Sequence, residues 1–289
     1  MNMLPRGVDR IVEPERVIEG AGVRLRRSIG TRSLNYHDPF LLLDHFASTL
    51  PADYEAGFPL HPHRGIETVT YLLSGVVRHR DTVGNSGSIG AGDIQWMSAG
   101  GGIMHEEMPQ VRPEGIDGFQ LWVNLPSRLK MSRPRYQGIA ANEIPLVEGE
   151  GGAKIKVIAG SVGGNRGPVT DIAADPLYLD VVVPENSSFT HPIAKGHNAF
   201  AYVYQGAASF GEPGSDAGRV THTRLVVLGD GDHVRVTTGA DDIRFLLVAG
   251  QPLGEPIARY GPFVMNTRAE IEQALSDLRE RTFVWSEAR

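Results

Sequence analysis

The chain has 289 residues, 41% of them apolar and 21% charged, with a formal net charge of −6 and no cysteine. That length gives about two domains and an ample core without a metal staple, the acidic balance argues against nucleic acid as the main partner, and the lack of thiolates excludes a cysteine-held zinc or an iron–sulfur cluster. The first twenty residues are charged throughout with no apolar stretch of secretion-signal length, and apolar runs such as 40–43 and 245–249 are too short to span a bilayer; a cytoplasmic chain without membrane contact is expected.

Thirty-five glycines and nineteen prolines punctuate short segments that alternate or run apolar, the pattern of many short strands joined by turns. Near the N-terminus Arg24, Arg26 and Arg27 interleave with Val23 and Leu25, which reads as the solvent side of a half-buried strand. Further strands are expected at 67–73, 119–125, 154–159, 177–183, 199–204, 225–228 and 243–248. The charged, glycine-rich stretch 143–152 reads as a linker. Helical periodicity is convincing once, where Thr267-Arg268-Ala269-Glu270 reads as a capping box followed by Ile271, Ala274, Leu275 and Leu278 at helix spacing. The chain is thus expected to be mainly β with a short C-terminal helix.

Two strings carry chemistry. His61-Pro62-His63 and His105-Glu106-Glu107 each place metal-binding side chains two residues apart, and residues i and i+2 of a strand share a face. Together they offer three imidazoles and a carboxylate, a set that suits a divalent first-row metal and leaves positions open for substrate. Glu106 falls on the opposite face from His105 and Glu107 if the strand is regular. Pro62, lacking an N–H, fits an edge or a bulge. The run Gly100-Gly101-Gly102 before His105 reads as a turn or as a place where substrate approaches closely. Trp96, Phe46 and Met97 read as core residues or as the apolar wall of a cavity.

An internal repeat lies at an offset of about 130 residues. Phe58-Pro59-Leu60-His61-Pro62 answers to Phe189-Thr190-His191-Pro192, Tyr71 and Gly75 to Tyr202 and Gly206, and Gly90-Ala91-Gly92-Asp93 to Gly229-Asp230-Gly231-Asp232. Ile193 stands where a second His63 would be, and no His-x-Glu follows Asp232. One mononuclear site per chain is therefore expected, with His191, His197, His222 and His233 as structural or surface residues.

With FLLLDHF at 40–46, HPHRGIETVTYLLSG at 61–75, GDIQWMSAGGGIMHEEMP at 92–109 and GPFVMNT at 261–267, the sequence closely resembles the pirin family of the cupin superfamily. The resemblance implies two tandem cupin-type jelly-roll β-barrels facing each other: a metal-binding barrel over 1–142, and a degenerate barrel without metal over 143–289 that carries the C-terminal helix. Carried over position by position, it implies metal ligands at His61, His63, His105 and Glu107, whereas the general cupin pattern would take its acid from Glu67. It implies one divalent metal per chain, iron(II) by family expectation, with manganese, cobalt, nickel, copper or zinc compatible with the same donors. The implied activity is that of a quercetin 2,3-dioxygenase, which cleaves a flavonol with dioxygen and releases carbon monoxide, with Glu107 or Glu67 as catalytic proton acceptor. The alternative is a metal- and redox-dependent interaction protein that regulates transcription or a metabolic enzyme through a protein partner.

Overall fold

The computed structural model describes residues 4–212 and 219–286. Among them the chain is mainly β with one α-helix, Arg268–Arg279, and it divides into two compact units. One unit is built from Glu15–Thr31, Pro39–Ala141 and the chain from Leu253 onward; the other is built from the chain up to Pro14, Arg32–Asp38 and Asn142–Pro252. These two units differ at both ends from the expected division into 1–142 and 143–289. The C-terminal helix belongs to the unit that carries His61, His63 and His105, because its apolar stripe, Ile271, Ala274, Leu275 and Leu278, packs with Phe263, Met265, Phe283 and Met104. The strand Val8–Val12 belongs to the other unit, where it pairs with Arg224–Leu228 along one edge.

In the histidine-bearing unit a seven-stranded antiparallel sheet runs in the order Arg135–Ile139, Ile94–Ser98, Ile66–Ser74, Ile116–Asn124, Phe40–Ser48, Val23–Ile29, Glu15–Glu19. A four-stranded sheet of Phe58–His63, Ile103–Pro109, Val77–Asp81 and Ser86–Ile89 joins it through a core that includes Leu25, Phe46, Leu72, Val77, Ile89 and Ile116. Each of the larger side chains in that core contributes about 1.5–3 kcal/mol by its burial. Phe46 is thus a core residue, as is Met97, which packs with Ala99 and Ile103.

Along Val23–Ile29, Val23 and Leu25 point inward and Arg24 outward, as alternation requires. Arg27 departs from the expected solvent side: it shares the face of Leu25 and gives Nε and Nη2 to the two Asp44 oxygens at 2.8 and 2.7 Å, and Nη1 to Glu19 at 2.7 Å. The fork supplies at the buried position the partners that a charge there requires. Burial still raises the Asp44 carboxyl to about 6, against the pull of Arg27.

The other unit is a nine-stranded sheet whose path runs from Val8–Val12 through Arg224–Leu228, Asn198–Phe210, His233–Gly250, Leu177–Val183 and Lys154–Ala159 to Leu146–Glu148. Its interior is filled by side chains such as Leu179, Val181, Phe189, Val203, Phe210, Phe245 and Leu247, with Ile193 among them. His191 stacks on Phe189 with ring centroids 6.2 Å apart, and burial pushes its pKa down to about 4, so it is neutral there. The expected linker is instead structured. Leu146–Glu148 pairs with Lys154–Ala159 as an edge strand between the short 3-10 turns Ala141–Glu143 and Glu150–Gly152. No helix of the described residues is long and apolar enough to cross a membrane.

Candidate metal centre

His61 and His63 lie on Phe58–His63, an edge strand, where Pro59 and Pro62, which have no N–H to give a ladder, are tolerated. Its antiparallel neighbour Ile103–Pro109 sets His105 directly opposite His61 and Ile103 opposite His63. All three imidazoles point into the space between the sheets, where His63 meets the Trp122 ring edge-on at 5.1 Å. Their centroids stand 4.3, 4.8 and 5.0 Å apart, and one nitrogen from each lies within 4.8 Å of the others.

Burial lowers the pKa of His61, and lowers those of His63 and His105 well below the usual histidine value, with repulsion between the clustered imidazoles adding to it. At neutral pH the three are therefore uncharged, with lone pairs to offer. His61 Nδ1 donates to the Pro59 carbonyl at 2.9 Å, which fixes the tautomer and frees Nε2. Among the described residues, His63 Nδ1 and both His105 nitrogens are buried with no hydrogen-bond partner. A buried polar atom left unpaired costs about 1–3 kcal/mol, and a cation that takes one lone pair from each ring would relieve His63 Nδ1 and one of the two His105 nitrogens.

The acids fall in three different places. Glu107 shares the face of His105, but the pairing shifts register between the two residues, and its carboxylate stands outside the three-imidazole group. There Thr70 Oγ1 lies 2.8 Å from Glu107 Oε1 and 2.7 Å from Gln120 Oε1. Thr70 can donate its one proton to the Glu107 carboxylate or to Gln120, and both contacts are hydrogen bonds at once only when Glu107 is protonated. Burial raises the Glu107 carboxyl to about 7, against the hydrogen bond from Thr70.

Glu67 is not brought to the histidines. Its strand keeps regular register from Glu67 to Tyr71, so its side chain takes the face opposite Thr68 and Thr70 and is bonded by the Ser98 hydroxyl. Trp96, paired with Val69, is on that opposite face too and walls no space beside the histidines. Glu106 points outward and pairs with Arg80 at 3.1 Å.

A fourth histidine, not singled out in the sequence, joins the cluster. His79 faces Glu107 in the ladder, and its ring lies 5.4 Å from His105 and is stacked at 4.9 Å on Tyr136. Gln95 Nε2 donates to its Nδ1 at 3.1 Å and its Nε2 faces Asp81 at 3.3 Å, a fully used neutral tautomer. The signal was present in Val77, His79 and Asp81 alternating with Arg78 and Arg80.

The Pirin family model matches residues 22–123, and the model of the Pirin C-terminal cupin domain matches residues 178–284. A pirin-like protein of Caulobacter vibrioides is 47% identical over 284 residues, 96% of this chain and 99% of that protein. Pirin of Homo sapiens is 43% identical over 276 residues, 92% of each. The crystal structure of quercetin 2,3-dioxygenase from Acinetobacter baumannii matches with a TM-score of 0.85 at 34% identity, covering 96% of this chain and 98% of that one. On both of its cupin domains and over nearly its full length, the chain belongs to the pirin family, a family of bicupins.

Proposed function

We propose that this chain is a metal-dependent dioxygenase that cleaves a flavonol such as quercetin, with one iron(II) held by His61, His63, His105 and Glu107. The observation that carries the reading is three neutral, clustered imidazoles with unpartnered buried nitrogens, in a chain similar over almost its whole length to a quercetin 2,3-dioxygenase. When bound, the metal supplies Lewis acidity toward a flavonol hydroxyl and redox capacity toward dioxygen.

The chain's residues supply the rest. The Pro59 carbonyl holds His61 in the tautomer that presents Nε2. Glu107 joins the imidazoles by turning its side chain away from Thr70, and its carboxyl, with a pKa raised to about 7, exchanges a proton readily near neutral pH. In the metal-free arrangement Thr70, itself bonded to Gln120, holds that carboxyl. Trp122, edge-on to His63, gives an aromatic wall for a flat substrate.

The test is turnover. Protein stripped with a chelator, reloaded with iron(II) without oxygen, then mixed with quercetin in air should bleach the flavonol and release equimolar carbon monoxide, and the stripped protein should not. A fully loaded protein inert toward quercetin and related flavonols would sink the dioxygenase reading and favour the interaction protein.

A further inference from the structure

Both ligand-bearing turns are tied to the same distant piece of chain. Directly after His63, buried Arg64 donates from Nη1 to Asp277 at 2.8 Å and from Nη2 to the Phe283 carbonyl at 3.1 Å, and its guanidinium lies 4.4 Å from the centre of the Phe283 ring. Val264 N donates to the Arg64 carbonyl at 3.1 Å. The next residue, Gly65, has φ +79°, and a Cβ there would stand 2.0 Å from the Val264 oxygen. Lys130, also buried, fastens this junction by donating to the carbonyls of Gly65 and Val264 at 3.0 and 2.8 Å.

The other turn is held in the same way. Trp285 N donates to the Gly102 carbonyl at 2.9 Å, and a Cβ on Gly102 would stand 2.1 Å from the Phe283 oxygen. The glycines flanking the ligands therefore serve close backbone packing rather than substrate approach. Gly65 N donates to Gly100 O at 2.9 Å and closes the ring between the two turns.

We propose that residues 263–285 act as a clamp that positions both halves of the ligand set, with Arg64, gripping Asp277 and the Phe283 carbonyl, as its positioning residue. This rests on the metal reading above and is independent of the substrate. An ion pair buried this deeply gains little net stability over an apolar pair of the same volume. What it fixes is geometry, because a planar fork reaches Asp277 and the Phe283 carbonyl together in only one orientation. His63 is one residue from Arg64, and His105 three from Gly102, so play in the clamp becomes misplacement of both.

Cobalt(II) tests this without turnover, by affinity in competition with a chelator and by the visible absorption bands that report its coordination geometry. Arg64→Met in the full-length chain should lose about 10-fold in affinity, the low end of what removing a group bonded directly to a ligand costs, since Arg64 acts on the ligands only through the backbone, and should shift the bands. Arg64→Lys should recover part of the affinity, since it keeps the charge toward Asp277 and lacks the fork to Phe283. Asp277→Asn should fall between the two. Folded variants with the parent's affinity and spectrum would overturn the clamp. If Arg64→Met fails to fold, Arg64→Lys and Asp277→Asn decide by the same two readings. A parent chain that binds no cobalt overturns the metal reading and the clamp with it, whereas tight parent binding with indifferent variants overturns the clamp alone.

Discussion

Replacing His105 by leucine is expected to abolish metal retention and leave the metal-free chain at least as stable as the parent. The two halves of this result have one cause. His105 is wholly buried, and neither of its ring nitrogens has a hydrogen-bond partner among the described residues. In the metal-free protein that imidazole costs stability, and a leucine of similar volume removes the unpaired atoms, for a gain of about 1 kcal/mol. With metal the balance reverses, because one of three nitrogen donors is gone and the loss should exceed the ~100-fold that an outer-shell partner is worth. Urea unfolding in the presence of a chelator, with metal content measured on protein purified without one, gives both numbers. A leucine variant markedly less stable than the metal-free parent would make His105 a structural residue.

Glu107→Gln should separate the acid's roles from the fold. Glutamine is nearly isosteric with the protonated carboxyl that bonds Thr70, so the metal-free chain should fold unchanged. As a ligand the neutral amide is poorer, and as a proton acceptor it is inert, so flavonol cleavage should fall by about 10²–10⁴-fold, the usual contribution of a positioned acid–base group. The pH dependence gives a second signature. With the metal-free carboxyl at about 7, ligation must expel its proton, so apparent metal affinity should climb as pH rises toward 7 and level off above it. The glutamine variant should lose that part of the slope. Glu67→Gln should change neither affinity nor turnover, since Glu67 faces Ser98 on the other side of its strand. Metal loss in the Glu67 variant with retention in the Glu107 variant would reverse the assignment of the acid.

What the sequence made legible was local. The same-face rule needs only a strand, so His61, His63 and His105 could be grouped before any tertiary contact was known, and the geometry brings them together. The strand Leu177–Val183 ends where its apolar run does. The Thr267 capping box forms, with Glu270 N donating to Thr267 Oγ1 at 3.3 Å and Thr267 N to Glu270 Oε2 at 2.7 Å. Partners distant in sequence were not legible. An apolar stripe on Arg268–Arg279 says what is buried but not against which barrel, and its contacts fall in the histidine-bearing unit. Arg27 looked solvent-facing because its partner Asp44 sits on the next strand. Glu67 matched a general spacing pattern, yet regular register turns it away. Glycines before His105 gave no hint that Phe283 and Trp285 come to lie against them.

One metal per chain, bound among His61, His63 and His105, is most directly tested by anomalous diffraction at the iron edge from crystals grown with iron(II). The expected map has one peak per chain, within coordination distance of those three imidazoles and of Glu107. A peak beside His191 in the other unit, or a second peak of equal height in the same chain, would contradict it.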